Sequence, residues 1–198
     1  MLLIEGPDMI GKTHLCDRIA RELGVKVDKF GLPERDGMVA HCMQRLKPLT
    51  VYDRGWISEV VYSIKARGQL PTITSDDCAT ICRKAEQVGC LTVVVYADDD
   101  VYSELVERWW SRGEAFSKEQ CKAVNAAYRH LATTNHVLSS TSGNVLYPMR
   151  VDVAYCVERI MDRIIYPAQD ESFVRSVIAK YREVQRFVGI GSTIDRTA

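Results

Sequence analysis

The 198-residue sequence has no long apolar run, no net charge and no paired-cysteine motif, and each absence removes a class of function. No apolar stretch approaches the roughly 20 residues that cross a bilayer. The first residues carry neither the basic nor the apolar region of a secretory leader. Lys+Arg and Asp+Glu stand at 26 each, so the chain lacks the positive surplus of a nucleic-acid-binding surface. None of the seven cysteines falls in a C-x-x-C pair. Cys78 and Cys82 share a face of a predicted helix, but no His/Cys cluster accompanies them, which argues against zinc. An odd number of scattered cysteines suits a reducing compartment, and the expected location is cytoplasmic. His14, His41, His130 and His136 form no metal-ligand or triad pattern. No internal repeat or linker interrupts the chain, and its length fits one domain over residues 1–198.

What the sequence does contain is Gly6-Pro7-Asp8-Met9-Ile10-Gly11-Lys12-Thr13, which satisfies G-x-x-x-x-G-K-[ST] at every fixed position. An apolar run, Met1-Leu2-Leu3-Ile4, precedes it, and residues 13–23 read as a helix. That context is the one in which backbone N–H groups of a tight turn and a helix N-terminus converge on phosphate oxygens. Gly6 and Gly11 free the turn of Cβ atoms. Lys12 is expected to reach the β- and γ-phosphates of ATP, and the Thr13 hydroxyl to ligate Mg²⁺.

Further strands are expected at 25–30, 49–52, 90–96 and 145–147. Helices are expected at 38–46, 56–67, 74–88, 98–110, from 117 onward, at 154–165 and at 171–188. Residues 31–37 and 139–144 have loop composition, and the chain from 189 reads as a loose tail, so 168–198 forms a C-terminal helix and tail. The apolar run Leu91-Thr92-Val93-Val94-Val95-Tyr96 suits a strand buried on both faces of a parallel sheet. The alternation predicts about five parallel strands with helices on both faces. With the Gly6–Thr13 loop after the first strand, the expected fold is an α/β, three-layer P-loop NTPase with a short helical lid at 108–116. In such sheets ligands gather beyond the carboxyl ends of the strands, which draws together the P-loop, Glu34-Arg35 and Asp53-Arg54.

Asp53 ends an apolar strand where P-loop enzymes place a carboxylate near Mg²⁺, and Arg54 offers a planar fork of donors to phosphate. Arg108 and Arg112, spaced i, i+4, share a helix face before a Gly-bearing turn. That arrangement suits lid arginines closing over a transferring phosphoryl group, or else a solvated basic face. Trp56 and Tyr62 could stack on a base, although helical spacing equally suits core packing.

Taken together these motifs resemble the thymidylate kinase and deoxynucleoside kinase branch of the P-loop kinases, and the chain looks like a divergent, viral-type member. Glu5-Gly6-Pro7-Asp8-Met9-Ile10-Gly11-Lys12-Thr13 matches the E-G-x-D-x-x-G-K-[ST] loop of thymidylate kinases. Asp53, Arg54, Ser58 and Tyr62 match their D-R-x-x-x-S-x-x-x-Y run, with Gly55 where an aromatic is common. Phe30 to Arg35 loosely echoes their phenylalanine-proline-arginine segment.

The resemblance implies transfer of the γ-phosphoryl of ATP to a deoxynucleoside monophosphate, with Mg²⁺ and in a homodimer. Asp8 would then contact the sugar 3′-hydroxyl, Arg35 and Arg54 the acceptor phosphate, and Lys12, Arg108 and Arg112 the transferring group. Glu34, Trp56 and Tyr62 complete the implied acceptor site. A hydroxyl acceptor, in a nucleoside or in a modified base or end of DNA, would instead need a general base, with Glu34 or Asp53 as candidates. A DNA acceptor would be expected to add a basic groove, which the balanced charge does not suggest. An acceptor-free P-loop NTPase is the third reading.

Overall fold

The computed structural model describes residues 1–30, 38–110, 115–134, 145–151 and 171–187. The strands are β1 (Leu2–Glu5), β2 (Lys26–Lys29), β3 (Thr50–Asp53), β4 (Leu91–Ala97) and β5 (Val145–Val151). They pair in parallel in the order β2-β3-β1-β4-β5. Between and after them lie α1 (Lys12–Leu23), α2 (Met38–Arg45), α3 (Trp56–Lys65), α4 (Ser75–Gln87), α5 (Asp99–Trp109), α6 (Lys118–Thr134) and α7 (Glu171–Phe187). The five-stranded parallel α/β sheet is therefore present as expected. The helix expected at 154–165, the loops at 31–37 and 139–144 and the tail from 189 lie outside the described residues.

Alternation along the two central strands divides the core into two layers, because successive side chains leave a strand on opposite faces. Leu2, Ile4, Val93 and Val95 go to one face, where α1, α5 and α7 supply Leu15, Ile19, Tyr102, Val177 and Tyr181. Leu3, Val94 and Tyr96 go to the other, against Trp56 and Val61 of α3, Ile81 of α4 and Val124 and Tyr128 of α6. The apolar run of β4 is thus covered on both sides, and all seven of its residues are buried.

Local chemistry sets the helix ends. Gly24 closes α1 in the left-handed region at φ 65° and returns its N–H to the Ala20 and Arg21 carbonyls. Thr74 and Asp77 cap α4 reciprocally: the Asp77 N–H donates to Thr74 Oγ1 at 3.2 Å, and the Thr74 N–H to Asp77 Oδ2 at 2.8 Å. Helix α3 stops two residues short of its expected end, because the Arg67 N–H turns back to the Tyr62 carbonyl at 2.9 Å. That turn brings the Arg67 side chain back beside its own helix, onto Glu59.

The C-terminal helix has a definite place. Val174, Val177, Ile178, Tyr181 and Val184 of α7 are buried in the layer that holds α1, at the spacing of one helix stripe. Gln185 Nε2 also donates to the Gly89 carbonyl at 2.6 Å, beside the start of β4. The helix is a structural part of the layer that holds α1. We expect Val177→Ala to lower the unfolding free energy by about 2 kcal/mol, from lost transfer energy plus a cavity. Arg182→Ala, on the exposed face of the same helix, should stay within about 0.5 kcal/mol. Equal, small effects in a denaturant titration would contradict this placement.

Candidate active site

The strand order reverses at β1, whose two neighbours are β3 and β4, and ligands in such sheets bind where the order reverses. The loop leaving β1 there is held tightly. A Cβ on Gly6 would run into the Val95 carbonyl oxygen, so only glycine lets the chain pass so close to β4. Gly11 stands at φ 83° and delivers the chain directly into α1. Lys12, the first residue of that helix, is buried, and its ammonium donates to the Pro7 carbonyl within the loop. Burial lowers its pKa to about 8, while the Asp53 and Glu5 carboxylates act in the opposite direction.

Thr13 Oγ1 donates to Asp53 Oδ2 at 2.6 Å. The pair joins the start of α1 to the end of β3, and it offers two hard oxygens of the kind Mg²⁺ takes from protein while keeping water and phosphate ligands. No group of three or more His, Cys, Asp or Glu side chains suited to a metal occurs among the described residues. Thr13 and Asp53, the two residues expected from the sequence to hold Mg²⁺, are brought together here, and their oxygens are of the kind that ion takes.

On the other side of the loop, Asp8 faces Arg54 and Tyr62. One carboxylate oxygen pairs with the Arg54 guanidinium, and the other accepts from the Tyr62 hydroxyl at 3.0 Å. The guanidinium also lies over the Tyr62 ring, 4.7 Å from its centroid. Arg54 takes a left-handed φ of 71°, an unfavourable conformation for a side chain of its size. Its N–H donates to the Ile4 carbonyl at 2.9 Å, which fixes the turn as β3 ends.

These residues open onto a pocket of about 380 Å³ lined by Phe30, Arg54, Gly55, Ser58, Glu59, Tyr62, Arg67 and Phe116. Aromatic rings form its walls, with Tyr62 and Phe116 centroids 5.7 Å apart. Arg67 is fixed at its edge. Its guanidinium donates to Glu59 Oε2 at 2.8 Å and to Ser63 Oγ at 2.7 Å, while Glu59 Oε1 accepts from Ser63 Oγ at 2.8 Å and Thr72 Oγ1 at 3.1 Å. Those donors outweigh burial and hold the Glu59 carboxyl below its ordinary pKa.

Beneath the pocket lies Glu5, fully buried. Its carboxylate accepts from Ser58 Oγ at 2.5 Å and from the Tyr128 hydroxyl at 3.1 Å. Burial raises its pKa, against the lowering effect of Ser58, Arg54 and Tyr128. Glu5 Oε1 would also lie 3.2 Å from a Cβ on Gly55, and a Leu3 methyl 2.8 Å from it. A side chain here would have to displace the ends of the buried Leu3 and Glu5 side chains, so glycine fits where the kinase pattern often has an aromatic.

One expectation is corrected. Trp56 does not line the pocket: it is 2% exposed and packs edge-on against Phe30, with centroids 6.4 Å apart. As the first residue of α3 it turns into the core layer rather than towards the space where a base could stack. Arg108 lies on the last turn of α5 with its side chain exposed. Glu34, Arg35 and Arg112 lie outside the described residues. Sequence reasoning did not single out Glu5, Glu59, Arg67 or Phe116 as site residues. For Glu59 and Arg67 a signal existed, since 59, 63 and 67 recur at the four-residue spacing of one helix face.

Two measurements test this geometry. Lys12 carries its charge below about pH 8 and loses it above, so affinity for a phosphate-bearing ligand at this loop should fall as pH rises through 8. A flat profile to pH 9.5 in a binding titration would contradict the buried lysine's role. Gly55→Ala should destabilise the fold by about 1–3 kcal/mol through contact with Leu3 and Glu5, and an unchanged melt would contradict that crowding.

No protein-family model matches the sequence, and none of the curated proteins is similar to it. Solved structures are. The YorR protein of Bacillus subtilis, in complex with phosphorylated GDP, superposes with a TM-score of 0.59 at 20% identity, over 83% of this chain and 99% of that one. Deoxyadenosine kinase from M. mycoides with bound dCTP gives a TM-score of 0.44 at 17% identity, over 81% and 97%. At these identities the first likeness establishes the fold alone: the chain shares the architecture of the YorR protein, a parallel sheet with helices on both faces.

Proposed function

We propose that the protein is an ATP-dependent phosphotransferase that moves the γ-phosphoryl group to the 5′-phosphate of a deoxynucleoside monophosphate. The observation that carries this reading is the Asp8–Arg54 contact, which joins the phosphate loop to an aromatic-walled pocket. Donor and acceptor groups would then meet across a single loop, the close approach on which phosphoryl transfer depends. In the YorR protein the same fold holds a guanine nucleotide, phosphorylated GDP, which supports a nucleotide ligand here.

The state of the carboxylates favours an acceptor that is already ionised. Asp53 accepts from Thr13, Asp8 from Arg54 and Tyr62, Glu59 from Ser63, Arg67 and Thr72, and Glu5 is buried. Asp8 and Glu59 are engaged by donors on both oxygens, whereas a general base needs a free lone pair on the reacting hydroxyl. Asp53, with one oxygen on Thr13, is assigned to the metal. A phosphate acceptor requires no such base. Lys12 would neutralise the transferring phosphoryl group, Arg54 would hold the acceptor phosphate, and Asp8 and Tyr62 would orient the sugar. Mg²⁺, held through Thr13 and Asp53, supplies charge neutralisation across the β- and γ-phosphates when bound. Arg108 and Arg112 would add to the same neutralisation, and Arg35 would join Arg54 on the acceptor phosphate.

The test is ATP turnover against the deoxynucleosides, their monophosphates and short DNA. Turnover with monophosphates only is expected, and Lys12→Ala should reduce it by about 100-fold or more. Turnover with nucleosides or DNA ends would replace the proposed acceptor. ATP loss without any acceptor would refute the transferase reading.

A further inference from the structure

Tyr102 has no part in the roles above, yet its hydroxyl reaches the phosphate loop. It sits on the first turn of α5, is 1% exposed, and donates to the Asp8 backbone carbonyl at 3.0 Å. The next residue, Met9, has a left-handed φ of 64°. An unbranched side chain with a Cβ is strained there, whereas glycine would not be. The Asp8–Met9 peptide is therefore the point of the loop with the most to gain by flipping. Rotation of that one peptide plane would carry Met9 into the ordinary negative-φ region and move the flanking side chains little.

We propose that Tyr102 is a positioning residue for the phosphate cradle, preventing that flip. The peptide is trans, so its N–H points opposite to its carbonyl. With the Asp8 carbonyl held on the Tyr102 hydroxyl inside the core, the Met9 N–H is turned away from α5 towards the anion. Flipped, the same peptide would aim a carbonyl oxygen at the phosphates, the reverse of what an anion-binding turn requires. The aromatic ring is fixed in the layer formed by Ile4, Leu15 and Val95, so the hydroxyl is a rigid anchor. The strained residue and its anchor form one unit: Met9 creates the tendency to flip and Tyr102 opposes it.

This proposal rests on the P-loop binding ATP, and its test separates the two ideas. In Tyr102→Phe, the loss of one hydrogen bond should weaken ATP–Mg²⁺ binding roughly three- to tenfold in a calorimetric titration. The acceptor KM should stay within about twofold, because the Asp8 side chain keeps its partners. The decisive arm is the cycle with Met9→Gly. In the glycine background Tyr102→Phe should change ATP affinity less than about twofold. An equal loss in both backgrounds would overturn the proposal, since Tyr102 would then not act through this peptide. A second readout needs no nucleotide. In protein labelled with ¹⁵N-methionine, the Met9 amide signal, assigned by its absence in Met9→Leu protein carrying unlabelled leucine, should shift or double in Tyr102→Phe. An unmoved signal overturns the proposal even if wild-type protein binds no ATP, a result that would itself refute only the P-loop reading.

Discussion

The parallel pairing of β1 with β3 sets Ile4 opposite Asp53, and the geometry of the site follows from that register. It brings the carboxyl end of β3 beside the loop that leaves β1. There Thr13 meets Asp53 at 2.6 Å and Asp8 meets Arg54. A one-residue slip would turn Asp53 to the opposite face of the sheet and bring Tyr52 towards the phosphate loop. The register is held by burial on both faces, since Tyr52 belongs to one core layer and Val51 to the other. It is also held at the very end by the Arg54 N–H on the Ile4 carbonyl. The core layers and the site are thus one problem, and the two-faced hydrophobic pattern that builds the sheet also aims the two loops at each other.

Around that junction the chain breaks several local rules at once. Glu5 and Lys12 are buried with pKa values displaced towards their neutral forms, and Arg54 and Met9 occupy left-handed backbone. Each feature costs stability by itself, and they persist because neighbours over-determine them. Ser58 and Tyr128 satisfy Glu5, the Pro7 carbonyl receives the lysine, and β1 holds the turn at Arg54. A concentration of such features within a few residues is expected where geometry is kept for binding rather than for stability.

Much of this was legible in the sequence, for identifiable reasons. The loop from Gly6 to Thr13 could be read because its spacing encodes a backbone shape, and the strand and helix around it are strong local signals. The run of β4 could be read because a strand covered on both faces needs apolar residues at successive positions. Asp53-Arg54 was legible as a strand end. What could not be read depends on which surfaces meet. The stripe on α7 declares that a face is buried but not that it lies against α1. Trp56 and Tyr62, two turns apart in α3, read alike as aromatics, yet one enters the core and the other reaches Asp8. Phe116 and Phe30 become pocket walls only through convergence of distant segments, and no local spacing marks that.

The central claim is that Asp8 makes the phosphate loop into one wall of an acceptor site. Asp8→Asn tests it most directly, because the substitution keeps the shape and removes the charge that holds Arg54. Steady-state kinetics with the preferred acceptor, beside a direct ATP titration, should show the acceptor KM raised about tenfold or more and ATP affinity changed by less than about threefold. The opposite pattern, with ATP binding lost and the acceptor KM intact, would contradict the account and leave the loop an ATP cradle alone.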